Sequence, residues 1–134
     1  MSRKPENQLI KRVKNANKNN YFQSIETYTT LGCADCFCVV NGSSYWLEFK
    51  QTNAKNLGLS KYQVAWQLKL IKHGGHVFNL VRVLSQRCLK TYSLEPLGVR
   101  LIATANDNDT GINQLLNGLS DIVRNCAKQS HYFR

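Results

Sequence analysis

Hydrophobic periodicity predicts two amphipathic helices that flank a region of strands. In "PENQLIKRVKNANK" the apolar side chains recur three to four positions apart, which predicts a helix over about residues 5–18, with Pro5 in its first turn. The same spacing predicts a helix over about residues 111–128, with Asp109 or Thr110 as its N-cap. The apolar stripe of this second helix either covers a sheet or forms a contact between two copies of the chain.

The strongest turn signal is Asn41-Gly42, which lies between two runs typical of strands. Residues 33–40 and 44–50 are therefore predicted to pair as an antiparallel hairpin. The preceding "YFQSIETYTT" is rich in β-branched and aromatic residues, which favours an irregular strand or an extended lead-in to the hairpin.

A helix and an apolar strand follow the hairpin. In "SKYQVAWQLKLIKHGG", Ser60 is predicted as the N-cap, Gln63 completes a capping box, and Gly74-Gly75 ends the helix. The next run, "HVFNLVRV", is almost continuously apolar. Strand, helix and strand in this order predict a right-handed crossover, and "CLKTYSL" and "VRLIATA" predict two further short strands. We therefore expect an α/β fold with a mixed central β-sheet flanked by helices.

Length and charge restrict the class of protein. A chain of 134 residues is expected to form one domain (1–134), with a basic first helix, a hairpin-helix-strand core over about 33–83, and strands and a helix over about 87–128. The formal charge of +10 indicates a polyanionic partner, although basic residues that only hydrate the surface explain it equally well. No apolar run reaches the ~20 residues that span a bilayer, and no signal segment is evident, so we expect a cytoplasmic protein, in a phage or bacterial host, without membrane contact.

The hairpin brings two acids and a lysine together. Side chains two apart in a strand share a face, so Glu48 and Lys50 point the same way as Trp46. A two-residue turn sets Asp35 opposite Glu48, whereas a four-residue turn sets Asp35 opposite Lys50. The two carboxylates and the lysine are neighbours in either register.

Such a cluster has two chemical interpretations. Two close carboxylates repel each other unless a cation lies between them, and Mg²⁺ prefers oxygen ligands of this kind. A neighbouring lysine then stabilises developing negative charge, as metal-assisted phosphodiester hydrolysis requires. The alternative is an ordinary cross-strand ion pair on a solvated face.

The ordered motifs "GCAD" at 32–35, "EFK" at 48–50 and "LSKYQ" at 59–63 resemble the PD-(D/E)XK nuclease superfamily, which has a restriction-endonuclease-like fold. The chain looks most like virus-type replication-repair nuclease domains (VRR-NUC) and is similar in plan to archaeal Holliday junction resolvases. Ala34 stands where the motif usually has proline. The resemblance implies a Mg²⁺-dependent endonuclease, with Mn²⁺ able to substitute.

The resemblance also implies roles for individual residues. The implied metal ligands are Asp35, Glu48, the backbone carbonyl of Phe49 and, from the inward side of the first helix, Glu6. Lys50 is the implied catalytic lysine. Gln63 matches a glutamine that supports the active site, although the capping box accounts for it equally well.

The expected substrate is DNA, in particular branched DNA cut by a homodimer. Four lysines of the first helix form a stripe that is expected to hold the phosphate backbone: Lys4, Lys11, Lys14 and Lys18. Arg12 is expected to bind DNA with them. A nicking or single-strand-specific nuclease, and a non-catalytic DNA-binding protein on the same fold, are the alternatives.

The five cysteines are expected to be reduced thiols rather than metal ligands. In a strand, Cys36 and Cys38 share one face and Cys33 points to the other, so the three thiolates do not converge on one ion. We therefore expect Cys36 and Cys38 to fill the core, and a histidine of the pair that flanks Gly74-Gly75, His73 or His76, to interact with the carboxyl end of the central helix.

Overall fold

The computed structural model of the chain describes residues 4–26, 29–53 and 57–132, with side chains from 6 to 126 within those ranges. Its helices and strands occur in an order close to the predicted one. In chain order they are α1 (Lys4–Ala16), β1 (Tyr21–Ser24), β2 (Cys36–Val40), β3 (Ser43–Thr52), α2 (Lys61–Lys72), β4 (Val77–Val83), β5 (Cys88–Glu95), β6 (Gly98–Asn106) and α3 (Asp109–Tyr132).

The strands form one mixed sheet, in the order β1-β2-β3-β4-β5-β6. β3 and β4 are parallel because α2 returns the chain between them, and the other neighbouring pairs are antiparallel. The predicted α/β class, with a mixed sheet flanked by helices, is confirmed. Of the helices in the described part of the chain, none is long and apolar enough to cross a membrane.

The hairpin between β2 and β3 has the two-residue turn. Val40 pairs with Ser43, and both turn residues have positive φ, 52° at Asn41 and 81° at Gly42. Two residues with positive φ characterise a type I′ turn, whose twist matches that of the paired strands. The alternative four-residue turn is therefore wrong.

The two faces of β3 pack against different helices. Tyr45 and Leu47 lie in the core beneath α1 and α3, and the Tyr45 hydroxyl donates to the Leu116 carbonyl of α3 at 3.1 Å. Trp46 faces the other side, where its ring meets Trp66 of α2 at a centroid distance of 5.3 Å. Glu48 and Lys50, which alternate with the core residues, therefore lie on the α2 face of the sheet.

The terminal helices differ from their predicted limits. α1 ends at Ala16, two residues early, and the side-chain amide of Asn17 donates to the Val13 carbonyl at 3.3 Å. Before α3, the Asn108 side chain accepts a hydrogen bond from the Gly111 N–H at 2.8 Å, so Asn108 is the N-cap rather than Asp109 or Thr110.

The apolar stripe of α3 covers the sheet. Its buried residues belong to the same core cluster as α1 and the inner face of the strands, and they are Ile112, Leu115, Leu116, Leu119 and Val123. Burial of this stripe accounts for the amphipathic pattern without a second copy of the chain.

Candidate active site

Asp35 and Glu48 lie at the open end of the β2–β3 hairpin. Asp35 immediately precedes β2, and its Oδ2 accepts a hydrogen bond from the main-chain N–H of Phe49 at 2.8 Å. This contact attaches the Asp35 carboxylate to the residue that follows Glu48. Both acids are withdrawn from solvent, with 5% of Asp35 and 0% of Glu48 exposed. Buried carboxylates are rare unless they are paired or bind a metal.

Gln63 has both of the roles that its position suggests. Its Nε2 donates to Oε2 of Glu48 at 2.9 Å, and its Oε1 accepts from the Ser60 N–H at 2.9 Å. The Gln63 N–H in turn donates to the Ser60 hydroxyl at 3.1 Å, which completes the capping box. The helix cap therefore orients the amide that holds Glu48.

Lys50 supplies a positive charge beside Glu48. Its Nζ lies 3.9 Å from Oε2 of Glu48, and its side chain is 19% exposed. At this separation the two charges attract each other without a close hydrogen bond. The ammonium group therefore remains available to a second anionic partner.

A buried pair of amides next to Glu48 escaped the sequence reasoning. Asn79 is the register neighbour of Glu48 in the parallel pair β3–β4, and it exchanges hydrogen bonds of 2.8 and 2.9 Å with Gln67 of α2. The pair satisfies the oxygen and one N–H of each amide and fixes α2 on the sheet at the level of the acids. The available signals were a lone polar residue in "VFNLV" and a glutamine one turn after Gln63.

Gly32 allows the loop before β2 to touch the first turn of α2. Its φ is +79°, and a Cβ added there would overlap the carbonyl group of Tyr62. Only glycine satisfies both conditions without strain. The loop that leads to Asp35 is therefore held directly against the helix that carries Gln63.

A cleft of about 730 Å³ opens at this point, between α1, the loop before β2 and the start of α2. Asp35 and Gln63 line it, and Lys11 and Lys14 line its α1 side. Glu6 is half-buried in the first turn of α1. It immediately precedes Asn7, the first residue of α1 that lines the cleft.

The side chains present fit a hard divalent cation with oxygen ligands. Asp35 and Glu48 supply carboxylates, and the carbonyl of Phe49 belongs to the residue that Asp35 contacts. Within residues whose side chains are described, no group of three or more His, Cys, Asp or Glu is placed to hold a metal ion. Glu6 as an additional ligand therefore remains a prediction.

The predicted DNA-binding residues differ in their surroundings. Lys11 and Lys18 are exposed, whereas the Lys14 ammonium donates to the Ser24 hydroxyl at 2.8 Å. The Arg12 guanidinium lies 2.7 Å from Asp107, so much of its charge is compensated within the protein. The side chain of Lys4 lies outside the described part of the chain.

The described thiols and His73 have the surroundings expected from the sequence. All five cysteines are free; Cys36 and Cys38 are buried in the core, and burial raises the pKa of Cys36 to about 11. Cys33 lines the cleft, where burial and then the charge of Glu48 raise its pKa above the ordinary value. The His73 ring contacts the Lys69 carbonyl at 2.8 Å, at the carboxyl end of α2.

No protein-family model and no curated protein matches the chain. Among solved structures, the chain is similar to Hjc of Archaeoglobus fulgidus, a Holliday junction resolvase from an archaeal hyperthermophile. The two share 13% sequence identity over 72% of this chain and 86% of that one, with a TM-score of 0.48. An identity and a TM-score this low indicate nothing about activity, substrate or metal dependence.

Proposed function

We propose that this protein is a metal-dependent endonuclease that hydrolyses phosphodiester bonds in DNA. The observation that carries the proposal is the pair of buried carboxylates, Asp35 and Glu48, held by the Phe49 N–H and the Gln63 amide. Asp35 lines a cleft that Lys11 and Lys14 also line. The ordered "GCAD" and "EFK" motifs, with their resemblance to PD-(D/E)XK nucleases, support the same activity.

Each residue has a defined part in this proposal. Asp35, Glu48 and the Phe49 carbonyl would hold Mg²⁺ or Mn²⁺, which supplies a bound water of lowered pKa and polarises the scissile phosphate. Lys50 stabilises the negative charge that develops on the phosphate oxygens. Gln63 keeps the Glu48 carboxylate in place, and Lys11 and Lys14 hold the phosphates of the substrate strand.

The finer assignments belong to the same proposal. We infer a substrate of branched DNA, a homodimer, a place near the VRR-NUC group and a cytoplasmic setting in a phage or bacterial host. Their support is the sequence resemblance, together with an excess of positive charge and free thiols.

The activity is tested with labelled four-way junctions, linear duplex and single strands, each incubated with Mg²⁺ or with EDTA. We expect cleavage with Mg²⁺ and none with EDTA, and faster cleavage of junctions than of the other two substrates. DNA binding without cleavage of any substrate would instead indicate a non-catalytic binding protein. Faster cleavage of single strands than of junctions would identify a single-strand-specific nuclease.

Metal binding is tested separately from cleavage. Because a ligand of the native state raises the Tm by mass action, Mg²⁺ or Mn²⁺ should stabilise the protein, and Asp35→Asn should weaken that shift. Asp121→Asn is the matched control, since Asp121 is exposed on α3 and pairs with Arg124. An equal metal-induced shift in both variants would place the ion elsewhere.

Lys50→Ala separates the catalytic role of Lys50 from an ordinary ion pair. Because the proposed contribution arises mainly in the transition state, we expect cleavage to fall by about two orders of magnitude or more while DNA affinity changes little. Lys72→Ala, which removes an exposed lysine at the end of α2, is the control. Small and equal losses of affinity and cleavage rate would show that Lys50 only contacts the phosphate backbone of the DNA.

A further inference from the structure

Two large apolar side chains are exposed at the rim of the cleft, beside the proposed site. Tyr62 is 48% exposed and Leu31 is 64% exposed, and both line the same cleft as Asp35. Isolated exposed apolar residues are common, but two that border one charged cleft form a local surface. We call Tyr62 and Leu31 the rim platform.

The backbone holds the rim platform in place. Leu31 precedes Gly32, and the close approach of Gly32 to the Tyr62 carbonyl leaves no room for a Cβ. Tyr62 itself lies in the first turn of α2, which the Ser60 capping box secures. Neither residue therefore needs to be ordered by a ligand, which lowers the entropic cost of binding.

The charges around the rim platform match a nucleic acid strand. The Lys61 ammonium lies 5.2 Å from the centroid of the Tyr62 ring, and Lys11 and Lys14 line the opposite side of the cleft on α1. The lysines suit phosphates, and an aromatic ring beside them suits a base. One face of the Tyr62 ring is taken by Lys61, so a base would use the other face.

We propose that the rim platform stacks on one unpaired base of DNA whose backbone enters the cleft. In a continuous duplex both faces of a base are covered by its neighbours, so the ring finds a free face only where a nucleotide is unpaired or unstacked. The inference rests on the proposed function and deepens it. The rim platform selects DNA with an unpaired nucleotide next to the scissile phosphate.

The test compares affinity for two substrates in EDTA, where cleavage does not contribute. One is a perfect duplex, and the other is the same duplex with one unpaired nucleotide; both are followed by fluorescence anisotropy of the full chain. We expect the wild type to prefer the second substrate by roughly tenfold, the range that stacking on an aromatic side chain provides. Tyr62→Ala should abolish that preference and leave affinity for the perfect duplex nearly unchanged.

Matched variants separate stacking from other effects. Tyr62→Phe keeps the ring and should keep the preference, whereas Leu31→Ala should reduce it partly. Tyr21→Ala and Leu97→Ala remove exposed side chains that do not line the cleft, 53% and 102% exposed, and should behave as the wild type.

Two results would overturn the rim platform: a wild type with equal affinity for both substrates, or a Tyr62→Ala variant that retains the preference. The second result includes a Tyr62→Ala variant that binds both substrates more weakly by the same factor, because Tyr62 would then be a general contact. These results are distinct from failure of the nuclease proposal, which is decided by cleavage in Mg²⁺. If the protein binds DNA but does not cleave it, the affinity measurements still test the rim platform. If the protein cleaves DNA but has no preference for the unpaired nucleotide, only the rim platform is wrong.

Discussion

At the scale of single residues, Gln63 contacts both the N-terminal cap of α2 and the buried carboxylate of Glu48. Its oxygen satisfies the Ser60 N–H at the start of α2, and its nitrogen satisfies the buried Glu48 carboxylate. A charge-assisted hydrogen bond of this kind is about twice as strong as a neutral one. One side chain therefore links the stability of a helix cap to the position of an acid.

Gln63→Glu tests this link, because glutamate keeps the capping box while it replaces the donor to Glu48 with a second carboxylate. We expect the free energy of unfolding at neutral pH to fall by about 1.5–3 kcal/mol, the value of a hydrogen bond to a charged group. Mg²⁺ should recover part of the loss, because a cation between the carboxylates removes their repulsion.

Urea denaturation with and without Mg²⁺ measures both effects. Ser60→Ala is the companion variant, and it should lose about 1 kcal/mol from the helix cap without a gain in the response to Mg²⁺. A Gln63→Glu variant as stable as the wild type would show that Gln63 serves the cap alone.

At the scale of elements, the site depends on contacts between segments distant in the chain. Gly32 brings the loop before β2 against α2, and the Gln67–Asn79 pair fixes α2 on β4. Asp107, between β6 and α3, contacts Arg12 of α1 and Arg82 of β4, each at 2.7 Å. The Gly32 contact joins two of the elements that line the cleft, and the other contacts fix α2 and α1, which also line it, to the rest of the fold.

The contact at Gly32 is tested by comparison with Gly42. Both glycines have φ near +80°, but a Cβ at Gly42 would meet nothing within 4 Å, whereas a Cβ at Gly32 would overlap the Tyr62 backbone. Gly42→Ala should therefore cost only the backbone strain, about 1–2 kcal/mol. Gly32→Ala should cost clearly more and should also lower the cleavage rate, since the loop and α2 must move apart.

Chemical denaturation of the two variants, with cleavage assays at a temperature where both are folded, measures this difference. Equal stability losses in Gly32→Ala and Gly42→Ala would show that the loop adjusts without disturbing α2.

Asp107 predicts a dependence of stability on pH. Burial by itself raises the pKa of Asp107, but the hydrogen bonds and positive charges of Arg82 and Arg12 outweigh it and hold the pKa below its ordinary value of 3.8. A pKa lowered in the folded state contributes stability above the unfolded pKa, and this contribution is lost as the pH falls through the folded pKa. Asp107→Asn should therefore be less stable than the wild type at pH 7, and the difference should shrink below about pH 4.

Denaturation at a series of pH values from 7 to about 2 follows this difference. The control is again Asp121→Asn, whose exposed ion pair with Arg124 should change stability little at any pH. A constant difference between Asp107→Asn and the wild type would show that the effect of Asp107 is steric rather than electrostatic.

At the scale of the whole molecule, the formal charge of +10 would attract a DNA duplex by long-range electrostatic interaction. Lys11 and Lys14 are the α1 lysines that line the cleft, whereas Arg12 is engaged by Asp107. We therefore expect these two lysines to carry more of the DNA contact than the rest of α1.

Lys11→Ala/Lys14→Ala should lower affinity for branched and linear DNA alike. Because each phosphate contact releases about one counterion when the DNA binds, loss of two contacts should make the slope of log K against the logarithm of the salt concentration shallower by about two units. Lys69→Ala/Lys72→Ala removes the same charge from the exposed last turn of α2 and is the matched control. Equal slopes for both double variants would show that overall charge, rather than the cleft, holds the DNA.

The sequence by itself determined the order of the elements and a hairpin in which the two acids are neighbours in either of two registers, and the structure decided for the two-residue turn. The Asn41-Gly42 turn sets Val40 opposite Ser43, and this register carries Asp35 to Glu48 and Phe49. Such features are readable because they depend on backbone preferences over a few residues and on the two-residue period of a strand. The capping box of α2 is local in the same way.

Only the tertiary structure decided which distant side chains meet. The contacts of Gln63 with Glu48 and of Gln67 with Asn79 depend on the rotation and height of α2 above the sheet. Hydrophobic periodicity specifies which face of a helix is buried, but not the shift of that face along its partner. The position of each helix along the sheet follows from the packing of all the layers at once. The position of α1 determines that Arg12 contacts Asp107, and the positions of α1 and α2 determine the shape of the cleft.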